Sequence, residues 1–403
     1  MYPYLDRNHH ELQADVRRFA IESIAPVARE LDETARFPWE NVRAMAERGW
    51  FGVPVPRELS GMGRDYLSYA LVLEELAKHD ASHSITVSAH TTLATSPILA
   101  FGTDEQKARF VPLLASGQVL GGFGLTEPGA GSDASGTTTR AVPVKGGYTI
   151  TGSKIFITHG GVGEIYVVTA VTDPDGGHHG ITSFVVCKPT VDRAEARRVG
   201  VGHRPELPYS AGVSAGAKED KLGWRASDTR ELHFQEAWVG EDQRLGEEGL
   251  GFVNFMKTLD AGRIGIAALS LGIAQGAFDE AVRYTTRRRQ FNRPVWDFQD
   301  IHFGLAELAT EIQAARHLVY HAAWLNDHGR PVTKEAAMAK LTAATLAAKA
   351  ARTAVQFLGG AGYTSDHPVE RMMRDAKACE IGEGTSEIQK TVIARQLHRE
   401  LNP

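Results

Sequence analysis

YTITGSKIFITHG, residues 148–160, is short, rich in β-branched and aromatic side chains, and bounded by glycine. That composition marks a strand rather than a helix. EIYVVTAVT (164–172), ITSFVVCK (181–188) and RELHFQEAWV (230–239) share it. On either side the periodicity changes. Toward the N-terminus, RDYLSYALVLEELAKHD (64–80) places Leu67, Ala70, Leu71, Leu73 and Leu76 near one helical face, leaving Glu74, Glu75 and Lys78 for solvent. TDEQKARFVPLLASG (103–117) starts at a capping Thr103 or Asp104 and stops at Gly117. From Gly249 onward helix periodicity returns in two long alanine-rich segments, 254–288 and 334–360, the second ended by paired glycines. So much alanine on long helices implies close packing, within a bundle or between subunits. The expected architecture is mainly α with a central β domain, divided as 1–119, 120–240 and 241–403.

The bulk composition narrows the function classes. The chain has 403 residues, 42% of them hydrophobic, with 44 basic and 49 acidic residues and a net charge of −5. There is no basic excess of the kind that makes nucleic acid the default partner. Two cysteines, Cys187 and Cys379, form no disulfide framework and point to a reducing compartment. The N-terminus turns polar at once, without a secretory signal, and no apolar run reads as a membrane span. A cytoplasmic protein is expected.

Most catalytic motifs fail. No G-x-G-x-x-G follows a strand, and the dipeptide Gly-Lys of a phosphate-binding loop is absent. The sixteen histidines show no metal-ligand pattern. GVSAG (212–216) matches the G-x-S-x-G elbow of serine hydrolases, with Ser214 as the nucleophile. It reads instead as a glycine-rich connection, because that elbow needs a strand before it and a helix after it. GGFGLTEPGAGSDASG (121–136) is more informative. Its bare amides between residues 129 and 133, with the Thr126 and Ser132 hydroxyls, suit a flat polar ring or a phosphate, and suit a cluster of turns equally well. In KIFITHG, Phe156 and Thr158 point to one face of a strand. Last, IGEGTSEIQ (381–389) sets one carboxylate, Glu383, between two glycines. It reads as a helix stop at Gly384 and a new N-cap at Thr385 or Ser386, with Glu387 in the first turn.

Together these residues resemble the acyl-CoA dehydrogenase family. FGLTEPGAGSD, KIFITHG, EDKLGWRASDTREL, LDAGRIGIAALSLGIAQ, RRRQF with Gln299, QFLGGAGY and IGEGTSEIQ occur in the family's order and near its spacing, from about residue 5 to 398. The wording is nearest to the short-chain branch. The resemblance implies an N-terminal helical domain, a middle β-barrel-like domain and a C-terminal helical bundle that forms a homotetramer. It implies FAD, with Phe123, Leu125, Thr126, Gly131 and Ser132 along one side and Phe156 and Thr158 against the isoalloxazine. Arg288, with Gln290 and Phe291, would reach FAD across a dimer. Gln299, Gln356, Gly359, Gly360, Thr385 and Glu387 would complete that site.

By the same resemblance Glu383 is the base that takes the α-proton of an acyl-CoA thioester, whose oxygen accepts from the Glu383 amide. Burial should raise the pKa of that carboxyl. Some branches carry the base at the position of Gly262, where glycine removes the competitor. Asp260, Arg263, Ser132 and Gly384 match positions that contact CoA. The implied activity is α,β-dehydrogenation of a short or branched acyl-CoA to a trans-2-enoyl-CoA, with electrons passed to an electron-transfer flavoprotein. The alternatives are an oxidase using oxygen, a flavin-free scaffold and a hydrolase using Ser214. Two departures stand out: Gly382 replaces a common tyrosine, and 189–212 reads as an insertion forming a surface loop or a lid.

Overall fold

The computed structural model describes residues 4–202 and 204–402 and has the α, β, α order. Before the first strand come α1 (Arg7–Phe19), α2 (Ala28–Thr34), α3 (Trp39–Glu47), α4 (Tyr66–Ala77), α5 (Ala81–Ser88), α6 (Ser96–Phe101) and α7 (Asp104–Ala115). At the start of α7, Gln106 N donates to the Thr103 hydroxyl while the Gln106 side chain accepts from Thr103 N. That reciprocal cap satisfies two donors the helix leaves over. A π-helical turn, Ala89–Thr95, joins α5 to α6.

The expectation for α4 fails at its acids. Glu74 and Glu75 are buried, not in solvent. Glu75 accepts from Arg17 of α1 at 2.9 Å and from Lys78 at 2.7 Å. Glu74 accepts from Arg316 at 3.0 Å and from Tyr320 at 2.8 Å. Helical period distinguishes faces, but not a face meeting water from one meeting a neighbour's cations.

The middle region contains β1 (Gly121–Gly124), β2 (Arg140–Val144), β3 (Gly147–Thr158), β4 (Ile165–Val171), β5 (Ile181–Cys187), α8 (Arg193–Val199), β6 (Val213–Lys218), β7 (Thr229–Gly240) and β8 (Arg244–Leu245). The sheet order is β6-β7-β3-β2-β4-β5-β8, with β1 parallel to β4. β4 and β5 are apolar almost throughout because both faces are covered. Tyr166, Val168, Phe184 and Val186 pack with Ile150, Leu232 and Phe234. Ile165, Val167, Val185 and Cys187 face Val111 and Leu114 of α7.

Two expectations are corrected here. GVSAG is not a connection: its residues enter β6, where Ser214 pairs with His233 of β7. Ser214 is exposed in mid-strand, and no helix follows, so the elbow geometry is absent there. The alternation of VSAGAK was the overlooked signal. Nor is 189–212 a loose surface loop. Ala196 and Val199 of α8 and Val201 are buried in the cluster that holds Val42 and Met45 of α3. Val191 N donates to Gly161 O at 3.0 Å and Gly202 N to Gln118 O at 2.6 Å. His203, within that segment, lies outside the described residues.

The last region comprises α9 (Gly251–Arg287), the hairpin β9 (Arg289–Gln290) and β10 (Arg293–Pro294), α10 (Gln299–Asp327), α11 (Thr333–Leu358), α12 (Gly360–Tyr363), α13 (Val369–Cys379) and α14 (Ser386–Leu401). Ala336, Ala339, Ala343, Ala347, Ala350 and Ala354 of α11 recur every three or four residues and are all buried within this one chain. Alanine therefore serves close packing inside the bundle and is not itself a sign of assembly. By length and composition α9 is apolar enough to cross a bilayer, contrary to the reading of its sequence, but 83% of its apolar window is buried in the fold.

Candidate active site

Glu383 lies in the turn between α13 and α14. Its φ is +54° and that of Gly384 is +95°, so two left-handed residues in succession reverse the chain. Ile388 N donates to the Thr385 hydroxyl at 3.3 Å, capping α14 as expected. The cap is where the sequence reading put it, but the stop is not: α13 ends at Cys379, five residues before Gly384, and the intervening turn aims the acid inward. Both Glu383 carboxylate oxygens are buried without a hydrogen-bond partner among the described residues. They lie against α9, where a Cβ on Gly262 would stand 2.0 Å from Glu383 Oε2. Only glycine at 262 leaves room for the carboxylate.

Two residues missed by sequence reasoning hold this turn. Lys340 of α11 donates to Gly384 O at 2.7 Å, and Gln389 Nε2 donates to Gly384 O at 2.8 Å and Glu383 O at 3.2 Å. A lysine on the buried alanine stripe of α11 was the available signal. Burial raises the Glu383 carboxyl from 4.5 to about 7, with Lys340 and Arg263 pulling the other way. A carboxyl poised near neutral pH is matched to general-base work. Beside it, Arg263 Nη1 donates to Asp260 Oδ1 at 2.6 Å, and the Thr333 hydroxyl donates to Asp260 Oδ2 at 2.6 Å. The Arg263 Nε is buried and unpaired among the described residues, a donor left over for a ligand.

The glycine-rich loop after β1 is braced from below. Lys154 donates to Glu127 at 2.7 Å and to Leu125 O at 3.1 Å. Glu127 also accepts from the Thr137 hydroxyl, from Thr138 N at 2.7 Å and from Thr139 N at 3.0 Å. Burial pushes the Glu127 carboxyl up, but Lys154 and the threonine donors outweigh it and hold the group well below the usual carboxylate range. Ile155 N donates to Thr126 O at 2.8 Å, tying the loop to β3. Phe123 stacks on Phe255 of α9 with centroids 4.1 Å apart. In β3 the simple alternation breaks at a bulge between Lys154 and Ile157. Ile157 turns inward, while Phe156, at φ +58°, is 63% exposed and Thr158 is half-buried. Ser132 and Gly131 are exposed, and a Cβ on Gly129 or Gly131 would meet nothing within 4 Å. An uncovered aromatic beside a bare-backbone loop fits a flat ring system carrying phosphates.

The remaining residues named from the sequence lie elsewhere. Arg288, Gln290 and Phe291 are exposed on the hairpin after α9, Phe291 by 86%. Gln299 begins α10, and Gln356, Gly359 and Gly360 sit at the end of α11, also exposed. These ends meet, since a Cβ on Gly304 of α10 would stand 2.7 Å from Phe357 of α11. Arg288 is about 39 Å from Gly262 along the helix axis, at ~1.5 Å per residue. The structure thus brings Glu383, Gly384, Arg263 and Asp260 together and sets a second group at the opposite end of α9. Glu387 is exposed in the first turn of α14.

Comparison with known proteins gives one family throughout. Residues 6–118 match the acyl-CoA dehydrogenase N-terminal domain, 122–237 the middle domain and 249–398 the C-terminal domain. The chain is 46% identical over 395 residues to the "acyl-CoA dehydrogenase, short-chain specific" of Clostridium acetobutylicum, covering 98% of this chain and 99% of that one. It is similar to the solved butyryl-CoA dehydrogenase from Megasphaera elsdenii, with a TM-score of 0.91 and 42% identity over 98% of this chain and 100% of that one. A chain of the structure described as "Electron transferring flavoprotein of Acidaminococcus fermentans: Towards a mechanism of flavin-based electron bifurcation" has a TM-score of 0.92 and 42% identity, over 98% and 99% of the two chains.

Proposed function

The chain belongs to the acyl-CoA dehydrogenase family, whose members are FAD-dependent oxidoreductases, and from that premise we propose that Glu383 is the base of a short-chain acyl-CoA dehydrogenase. One observation carries the assignment: a buried, unpartnered carboxylate near pKa 7, seated in the space that Gly262 leaves on α9. A thioester α-proton is weakly acidic, so its removal needs a positioned base and hydrogen bonds to the developing enolate oxygen. Glu383 supplies the first. Its own N–H has no acceptor among the described residues and is free to serve the second. Bound FAD supplies the acceptor for the β-hydride, and the product is a trans-2-enoyl-CoA.

The short acyl chain is favoured by the short-chain-specific relative and by the likeness to butyryl-CoA dehydrogenase; a modestly branched chain fits the room left at Gly382. Phe123, Leu125, Thr126, Gly131, Ser132, Phe156 and Thr158 line the flavin, Thr385 and Glu387 border it, and Asp260, Arg263, Ser132 and Gly384 take CoA. Arg288, Gln290, Phe291, Gln299, Gln356, Gly359 and Gly360 lie too far along the bundle to serve the same chain's Glu383. They serve the flavin of a second copy, within a homotetramer. An electron-transfer flavoprotein is the acceptor, in keeping with the Acidaminococcus fermentans structure. Both cysteines are free and buried, in keeping with the cytoplasm. Purified protein should be yellow and should bleach anaerobically with butyryl-CoA, and reoxidise faster with an electron-transfer flavoprotein than with oxygen. A colourless protein, or flavin unmoved by every acyl-CoA, overturns the reading; rapid turnover with oxygen alone makes it an oxidase.

A further inference from the structure

One stripe of α9 passes three landmarks. Phe255 meets Phe123 of β1, Gly262 meets the Glu383 carboxylate, and Gly265 meets the Tyr69 and Ser88 hydroxyls. Spacings of seven and three residues keep all three on one face of the helix. A Cβ on Gly265 would stand 2.7 Å from Ser88 Oγ and 3.0 Å from the Tyr69 hydroxyl, so these groups fill the space above it. Tyr69, from α4, and Ser88, at the end of α5, are fully buried. The Tyr69 hydroxyl donates to Ser88 O at 3.3 Å, and the Thr92 hydroxyl donates to the same carbonyl at 2.8 Å. Their polar atoms are satisfied by one another, so they act on a ligand through volume. Leu93, from the π-helical turn, closes the side facing Gly262.

We infer that Tyr69 and Ser88, packed over Gly265, form the floor of the acyl pocket and set the longest acyl chain the enzyme accepts. The inference rests on Glu383 being the base. Gly265 lies about 4.5 Å beyond Gly262 along the axis, three residues at ~1.5 Å each. With carbon–carbon bonds of about 1.5 Å, that depth holds roughly three carbons past the one facing Glu383. Butyryl and pentanoyl chains fit, and an octanoyl chain runs into the Tyr69 and Ser88 hydroxyls.

The flavin-bound protein and its Tyr69→Phe, Tyr69→Leu and Tyr69→Ala variants test this with butyryl-, hexanoyl- and octanoyl-CoA. Two readouts are taken: kcat/KM for flavin reduction, and calorimetric Kd for the matching 2-enoyl-CoA products. Tyr69→Phe removes only the hydroxyl over Gly265, so it should raise hexanoyl-CoA kcat/KM by roughly four-fold and leave octanoyl-CoA near its wild-type value. Tyr69→Leu and Tyr69→Ala should raise octanoyl-CoA kcat/KM at least about ten-fold through KM and tighten octenoyl-CoA binding to match, since each newly buried methylene contributes roughly four-fold. An unchanged profile in a yellow, butyryl-active Tyr69→Leu or Tyr69→Ala overturns the floor. So does wild-type protein binding octenoyl-CoA as tightly as butenoyl-CoA, whatever the variants do. Wild-type flavin that no acyl-CoA reduces overturns the assignment of Glu383 instead.

Discussion

Replacing Glu383 with glutamine keeps the size of the side chain and removes both its charge and its proton affinity. Two consequences run in opposite directions. Removing the base should slow substrate-driven flavin reduction by at least ~10²–10⁴-fold, the usual range for general-base catalysis. Exchange of the substrate α-hydrogen with heavy water should vanish with it, while the protein stays yellow. Stability should move the other way, and only at high pH. Burial raises the folded-state carboxyl from 4.5 to about 7. Below pH 4.5 the group is protonated in both states and costs nothing. Between the two values the unfolded chain is already ionised while the native protein still holds its proton, so native stability falls as pH rises. Above pH 7 the loss levels off at about 3 kcal/mol, two and a half units at ~1.36 kcal/mol each. Glutamine escapes that loss, and any cost of its own buried amide is the same at every pH. Thermal scans at pH 5 and pH 8, at fixed protein and FAD concentrations, should therefore show Glu383→Gln gaining on wild type at pH 8. A difference that does not change with pH refutes the buried-carboxylate account, and wild-type flavin reduction refutes the base.

Gly262→Ala should separate stability from activity: alanine favours a helix by about 1 kcal/mol, yet its Cβ displaces the Glu383 carboxylate, and a misplacement of ~1 Å costs on the order of 10²-fold in rate. An active Gly262→Ala enzyme, read by stopped-flow flavin reduction, contradicts this. Lys340→Met removes both a donor to the Glu383 turn and a nearby cation, so the acidic limb of the kcat/KM profile should shift to higher pH; an unshifted limb contradicts a role for Lys340 in tuning the base. Arg288→Ala should fold and assemble but weaken FAD retention by roughly ten- to a hundred-fold, the loss of one charged hydrogen bond. Flavin content with light scattering checks it, and a fully flavinated monomer excludes a contribution from a second copy.

The strands of the sheet and the long helices were legible because their patterns are local: β-branched runs between glycines, and alanines every three or four residues. What escaped depended on neighbours remote in sequence. Nothing within 64–80 says that Glu74 will meet Arg316 and Tyr320 of α10. Segment 189–212 shows little amphipathic period because α8 spans only seven residues and buries just Ala196 and Val199, with Val201 following beyond its end. At the site, the residues of the Glu383 turn were readable, since paired glycines around an acid are locally costly. Lys340 showed only as a lysine on a buried alanine stripe, because it acts from α11, 44 residues away in sequence, and Gln389, though near in sequence, acts on backbone carbonyls that no motif marks. Gly262 was read as the absence of a rival base; its positive role, space for the carboxylate, appears only when α9 and the turn are superposed in three dimensions.

The single stripe on α9 also limits how this enzyme can change. With Phe255, Gly262 and Gly265 on one rigid rod, the intervals between the proposed flavin wall, base and pocket floor are counted in residues, as marks on a ruler. Inserting or deleting one residue between 255 and 265 swings the later marks about 100° around the axis, at 3.6 residues per turn. It therefore disconnects them all at once. Substitution at the facing positions, by contrast, moves one boundary and leaves the others in register. Descendants of this sequence can thus drift in acyl chain length by trading side chains at Tyr69, Ser88 or Leu93, while the length of α9 between these marks stays locked.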